Sequence, residues 1–169
     1  RIAFLFTGQG SQFSGMGREI REASPSFGAT IERMQGTPLL ESESIDETGV
    51  AQSALFALEV ALLELWRSWG VMPAAVMGHS VGEFAAAVAA GVLEPADAFA
   101  LVSERGRLMQ SLPAGGAMAA VFAALDRVEE AVRGTGLSIA GVNGPRETVV
   151  SGPAEEVREL LARLTAHGV

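Results

Sequence analysis

Residues Gly78-His79-Ser80-Val81-Gly82 set a serine between two glycines, after an apolar run at 73–78 and before an alanine-rich segment that closes at Gly91. This is a G-x-S-x-G pattern in the strand, turn, helix context that holds a hydroxyl exposed on a sharp turn. Such a hydroxyl is a candidate nucleophile. Glycines without a Cβ let strand and helix cross closely around it. The first turn of the helix would aim free backbone N–H groups at an oxyanion formed there. A purely structural turn would carry the same letters. His79 is adjacent to Ser80, but adjacency does not make it the base, which must reach the hydroxyl from elsewhere in the chain. The other histidine, His167, ends a predicted surface helix beside Gly168 and reads as a C-terminal cap. No residue therefore presents itself as a general base.

Arg105 is the second chemical signal. A predicted helix over 95–112 places Ala98, Leu101, Val102, Leu108, Met109 and Leu112 on one face, with Arg105 in the middle of that face and Arg107 opposite. A guanidinium on an apolar stripe needs an anion or an outlet to solvent. A buried structural ion pair would satisfy it. So would a substrate carboxylate gripped through two parallel hydrogen bonds. Periodicity does not choose between them.

The elements that must carry these residues alternate between strand and helix. Residues 1–6 form an apolar strand that runs into the glycine-rich turn Thr7-Gly8-Gln9-Gly10-Ser11-Gln12. The polar stretch 36–48 reads as a loop. Leu55, Leu58, Leu62, Leu65, Trp66 and Trp69 recur at helical spacing over 49–69, with Gly70 as cap. A buried strand is expected at 73–78. After Pro113-Ala114-Gly115-Gly116, strands at 117–123, 137–142 and 147–151 and helices at 125–132 and 154–166 give a β-α-β-β-α run. That is one strand short of a ferredoxin-like unit.

Composition bounds the rest. Hydrophobic residues make up 49% and charged residues 19%, enough apolar content for a packed core. The chain has no cysteine and two histidines, which excludes disulfides and thiolate zinc sites and disfavours a histidine-rich metal site. A net charge of −8 argues against a nucleic-acid surface and disfavours anionic membranes. The longest apolar stretches are interrupted by Glu, Arg or Gly, so no membrane-spanning helix is expected.

The motifs add up in order. Gly8-Gln9-Gly10-Ser11-Gln12 is followed by Gly78-His79-Ser80-Val81-Gly82-Glu83 and by Glu104-Arg105-Gly106-Arg107-Leu108-Met109-Gln110. Then come Gly115-Gly116-Ala117-Met118, Val142-Asn143-Gly144-Pro145 and Val149-Val150-Ser151-Gly152. Across essentially its whole length the chain resembles malonyl-CoA:acyl carrier protein transacylases, most closely the acyltransferase domains of type I polyketide synthases. The resemblance implies an α/β-hydrolase-like large domain, here 1–114, and an inserted ferredoxin-like subdomain, here 115–169, both truncated at the C-terminal end. It implies ping-pong acyl transfer. Ser80 takes malonyl from coenzyme A, and the phosphopantetheine thiol of an acyl carrier protein then removes it. No cofactor is permanently bound. Arg105 would hold the malonyl carboxylate, and the backbone N–H groups of Gln9 and Val81 would form the oxyanion hole. His79, Gln12, Gln52 and Asn143 take supporting roles. Val81, following His-Ser, favours malonyl over methylmalonyl, although a hydrophobic contact beneath the elbow would explain it equally. The implied partners are the carrier protein and other synthase domains, including a ketosynthase, in the cytoplasm.

The family's general-base histidine lies downstream of the segment matching Val149-Val150-Ser151-Gly152, after a helix and a further strand. It is expected beyond Val169, together with the segment that usually selects the extender unit and the closing strands. The residues present are accordingly expected to be poorly stable alone. An esterase or thioesterase would share the elbow but not explain Arg105. A non-catalytic carrier-docking module would retain the elbow only as a structural feature.

Overall fold

The computed structural model describes residues 1–169 and divides them into two compact units, Arg1–Leu112 and Pro113–Val169. In the first unit, strand β1 (Ala3–Phe6) is followed by helices α1 (Arg18–Ala23), α2 (Pro25–Arg33), α3 (Gly36–Leu40) and α4 (Thr48–Ser68). Strand β2 (Ala75–Gly78) and helices α5 (Gly82–Ala89) and α6 (Pro95–Gln110) complete it. Strands β1 and β2 pair in parallel, with Phe6 opposite Gly78, so the turn after β1 and the elbow after β2 leave the sheet side by side.

Helix α4 is the centre of this unit, and its sequence says why. Ala51, Ser53, Ala54, Ala57 and Ala61 let α2, α5 and α6 approach closely, so the helix is buried around most of its circumference. Of the six residues read from the sequence, Leu55 and Leu65 are buried in the core, whereas Leu58, Leu62 and Trp66 line an apolar cavity of about 600 Å³ against β1. By length and hydropathy alone α4 is long and apolar enough to cross a membrane, but two-thirds of that window (67%) is buried as core. Gly70 adopts φ 77° just past the helix, the left-handed stop that its position predicts.

Three expectations need correction. The strand at 73–78 is not buried: Met77 is exposed, as is Leu5 on β1, because one face of this two-stranded sheet carries no covering layer. The stretch 36–48 is not all loop, since α3 occupies its start with Leu40 in the core. On α6 the buried stripe is Ala98, Val102 and Gly106, whereas Leu101, Leu108 and Met109, and Leu112 just past the helix, are exposed. Helices α4 and α6 touch through small residues, and a Cβ on Gly106 would come within 3.2 Å of the Gly49 backbone. That close seam leaves no room for leucines.

In the second unit, β3 (Gly116–Val121), α7 (Leu125–Val132), β4 (Ser138–Gly144), β5 (Glu147–Pro153) and α8 (Ala154–Ala166) follow the predicted β-α-β-β-α order. The three strands form an antiparallel sheet in the order β3-β5-β4. Val121, Val128, Leu137, Val150, Val157, Leu160 and Leu164 make its own core. The two units are each α/β in content.

Candidate active site

Ser80 sits where β2 gives way to α5, exposed, with φ 55°. A non-glycine residue in this left-handed region is strained, and only its surroundings can hold it there. The flanking glycines are part of those surroundings. A Cβ at Gly78 would lie 2.2 Å from the Glu83 nitrogen, and one at Gly82 would lie 2.5 Å from the Phe6 carbonyl oxygen. Neither position can accept any other side chain without moving backbone. The Phe6 carbonyl also accepts the His79 N–H at 3.0 Å, which locks the elbow to the end of β1.

The turn at 8–12 lies beside the elbow. Gly8 is required there because a Cβ would come within 2.6 Å of His79 Nδ1. Gln12 braces the turn from within: its Oε1 accepts the Gly10 N–H at 2.8 Å, and its Nε2 donates to Asp46 Oδ1 at 3.0 Å. Gln9 Nε2 donates to Thr48 Oγ1 at 3.1 Å, tying the turn to the start of α4.

Arg105 reaches the same place from α6. It is half-buried, and its Nη2 donates to Ser80 Oγ at 3.1 Å while Nη1 donates to Gln52 Oε1. Gln52 is fully buried on α4 and is itself oriented by donating Nε2 to Met109 Sδ at 3.2 Å. The guanidinium is thus aimed across the serine by a buried amide rather than by a carboxylate. Arg107 points away and pairs with Glu104 at 2.6 Å. The hydrogen bond from Arg107, set against burial, holds the exposed Glu104 carboxyl below the usual carboxylate range.

The structure brings Gln9, Gln12, Gln52, His79, Ser80, Val81 and Arg105 together in the first unit. The Val81 side chain is 1% exposed, buried in the core beneath the elbow. Asn143 belongs to the second unit, on the β4–β5 hairpin, where its Nδ2 donates to Glu147 Oε1 at 3.1 Å. His167 ends α8 as its position predicts, with Nδ1 2.7 Å from the Arg163 carbonyl oxygen.

One residue beside the site was not singled out from the sequence. Glu59 of α4 is only 8% exposed, and its Oε1 accepts the Thr7 N–H at 2.6 Å and the Thr7 hydroxyl at 3.1 Å. Burial raises this carboxyl to about 7 against the opposing pull of those two hydrogen bonds. It was legible by the test that exposed Arg105, a lone charge at helical spacing between Leu55 and Leu62.

Residues 3–169 match the model of the acyl transferase domain family. The chain belongs to that family. It is 46% identical to the polyketide synthase GfsA of Streptomyces halstedii over 192 aligned positions, covering 99% of this chain and 3% of that synthase. Erythronolide synthase EryA2 of Saccharopolyspora erythraea is 44% identical over 99% of this chain, which covers 5% of it. Among solved structures, the acyltransferase domain from the second module of the salinomycin polyketide synthase superposes with a TM-score of 0.92 at 47% identity, over 99% of this chain and 42% of that one. The malonyl CoA-acyl carrier protein transacylase of Coxiella burnetii gives a TM-score of 0.88 at 33% identity, over 99% and 58%. This acyl transferase domain chain therefore spans a few per cent of the synthases and about half of the solved domains it matches.

Proposed function

We propose that the chain carries the acyl-accepting half of a malonyl-CoA:acyl carrier protein acyltransferase site, working in polyketide or fatty acid biosynthesis in the cytoplasm. The observation that carries this proposal is Arg105 Nη2 at 3.1 Å from Ser80 Oγ, with the guanidinium steered by buried Gln52. A cation fixed beside a nucleophile suits an acyl unit that ends in a carboxylate. Arginine can grip that end bidentately and hold the thioester carbonyl against the serine.

Ser80 Oγ attacks the thioester carbon, forming the C–O bond. The tetrahedral oxyanion collapses as the C–S bond breaks and the coenzyme A thiolate leaves. The Gln9 and Val81 backbone N–H groups serve the oxyanion, which requires the turn at 8–12 and the start of α5 to keep their spacing. The phosphopantetheine thiol of a carrier protein then attacks the ester, and Ser80 is released. The resemblance assigns the Ser80 proton to a general-base histidine, a role that His167, the cap of α8, does not take. His79, Gln12 and Gln52 shape the site around Ser80, and the resemblance gives Asn143 a supporting role. Val81, buried as it is, influences the acyl unit only through the position of the elbow.

The same proposal assigns residues 1–114 to an α/β-hydrolase-like large domain, supported by the parallel β1–β2 pair that feeds the elbow. It assigns residues 115–169 to a ferredoxin-like subdomain, supported by the antiparallel order β3-β5-β4. The test is intact-protein mass spectrometry after incubation with malonyl-CoA. A malonyl adduct that disappears in Ser80→Ala is expected, with acetyl-CoA giving far less. An adduct that persists in Ser80→Ala, or acetyl-CoA reacting as well as malonyl-CoA, refutes it.

A further inference from the structure

Thr7 is the residue through which β1 becomes the turn at 8–12, and it is held from two sides. On one side its carbonyl, with that of Phe6, lies against Gly82 at the start of α5, 2.6 Å and 2.5 Å from where a Cβ would stand. On the other, its N–H and hydroxyl both donate to the same oxygen of Glu59, at 2.6 Å and 3.1 Å. The other Glu59 oxygen, Oε2, is buried and has no partner. A buried carboxylate with one empty oxygen is costly, and apolar residues would fill an α4 core position more cheaply. What the carboxylate supplies in return is a strong, doubly occupied acceptor at the root of the turn that carries Gln9.

We propose that Glu59 is a positioning residue, whose carboxylate acts through Thr7 to hold the 8–12 turn in register with the Ser80 elbow. It touches no reacting atom. Its charge matters because an ionised carboxylate is the stronger acceptor for the Thr7 N–H. With Glu59 titrating at about 7, the anchor tightens as pH rises through neutrality. The proton of the neutral form would sit on Oε2, leaving Oε1 as a weaker acceptor. No other titratable side chain lines the cavity on this side of β1 and α4. From the elbow, the ring facing the turn is His79, against Gly8. The pH response is therefore read against variants at both positions.

The catalytic arm rests on the acyl-transfer function proposed above, so the experiment has a second arm that does not. In the full chain labelled with ¹⁵N, the Thr7 and Gly8 amide resonances should shift through a transition near pH 7. That transition should vanish in Glu59→Gln and survive in His79→Ala. In parallel, the rate of malonyl adduct formation should fall about tenfold or more in Glu59→Leu with little change in half-saturating malonyl-CoA. Glu59→Gln, which keeps an acceptor oxygen, should restore most of that rate but lose the pH limb near 7. If Glu59→Leu does not fold, the amide titration and the Gln variant still decide the matter. Thr7 amides that do not titrate, or that titrate unchanged in Glu59→Gln, overturn the proposal even if wild type acylates normally. A wild type that never acylates overturns the function while the amide titration still judges the anchor.

Discussion

The two arms of the candidate site are built on different physics. The Ser80 elbow is held by backbone sterics: glycines at 78 and 82 admit a crossing that no Cβ allows, and the serine takes the strained φ between them. The Arg105 arm is held by side chains, through a chain of hydrogen bonds from Arg105 to Gln52 to Met109 that bridges α6 and α4. A steric arrangement tolerates no change at its defining positions and little motion. A hydrogen-bonded one tolerates substitution of its members but loses aim. Mutating the first should therefore appear in folding and mutating the second in rate.

The largest effect tests the steric arm. Gly78→Ala places a methyl 2.2 Å from the Glu83 nitrogen, against backbone that has nowhere to move. The loss of stability should be about 4 kcal/mol or more, at the extreme of single substitutions. Urea unfolding followed by circular dichroism measures it. A variant that unfolds at the wild-type midpoint would show that the elbow is far more plastic than its geometry indicates.

Next in size is a contribution that belongs to neither arm but braces the turn between them. The folded state keeps a proton on Glu59 up to about pH 7, whereas the unfolded chain releases it near the ordinary 4.5. Between those values the folded state binds more protons, so stability falls as pH rises through that window. Across it, the shift corresponds to about 3 kcal/mol. Urea midpoints from pH 4.5 to 8 should decline in wild type relative to Glu59→Gln, which does not titrate. Parallel curves for the two would remove Glu59 as the source.

The side-chain arm comes third. Arg105→Ala should slow malonyl adduct formation by about 30- to 100-fold, equivalent to about 2–3 kcal/mol of lost transition-state stabilisation. Its unfolding midpoint should stay close to wild type. Gln52→Leu should slow the reaction less, because the guanidinium remains but is no longer aimed. An Arg105→Ala protein that acylates at the wild-type rate would separate the arginine from the chemistry and leave the elbow alone.

How much of this was legible in the sequence follows the same division. The elbow was readable because its requirement is local: the glycines and the serine lie within five consecutive positions and need no partner to be recognised. Arg105 was readable as a charge among leucines, yet the stripe it was placed in was wrong. The buried residues are Ala98, Val102 and Gly106, and several of the leucines face outward. Hydrophobicity ranked the leucines first, whereas the helix seam needed small side chains, a tertiary demand that composition along one helix does not express. Glu59 escaped notice for a related reason. Leucine spacing on α4 drew attention to the apolar residues, and the carboxylate at helical spacing among them was passed over. Helices α1 and α2 gave no strong periodic signal because they are six and nine residues long.

A smaller effect should come from relieving the strain at the elbow itself. Ser80→Gly and Ser80→Ala both remove the nucleophile, but only glycine is at ease at φ 55°. The glycine variant should be the more stable of the two by about 1 kcal/mol. Equal midpoints would mean that the left-handed conformation is not retained once the hydroxyl is gone, and that Arg105 helps to hold it.

The smallest expected effect is the sharpest control on the side-chain arm. Arg107 lies two residues from Arg105 on the same helix, carries the same charge and sits in the same glycine-containing segment. It differs only in direction: its guanidinium meets Glu104 in solvent, where an ion pair within one helix turn adds little. Glu104 holds Arg107 slightly more firmly protonated than usual, a change without consequence near neutrality. Arg107→Ala should leave both the unfolding midpoint and the rate of malonyl adduct formation unchanged, measured beside Arg105→Ala in the same assay. A comparable rate loss in both variants would mean that overall positive charge draws the anionic thioester in, and that the hydrogen bond to Ser80 is incidental. A loss confined to Arg105 ties the effect to the one guanidinium that α4 and Gln52 turn toward the serine.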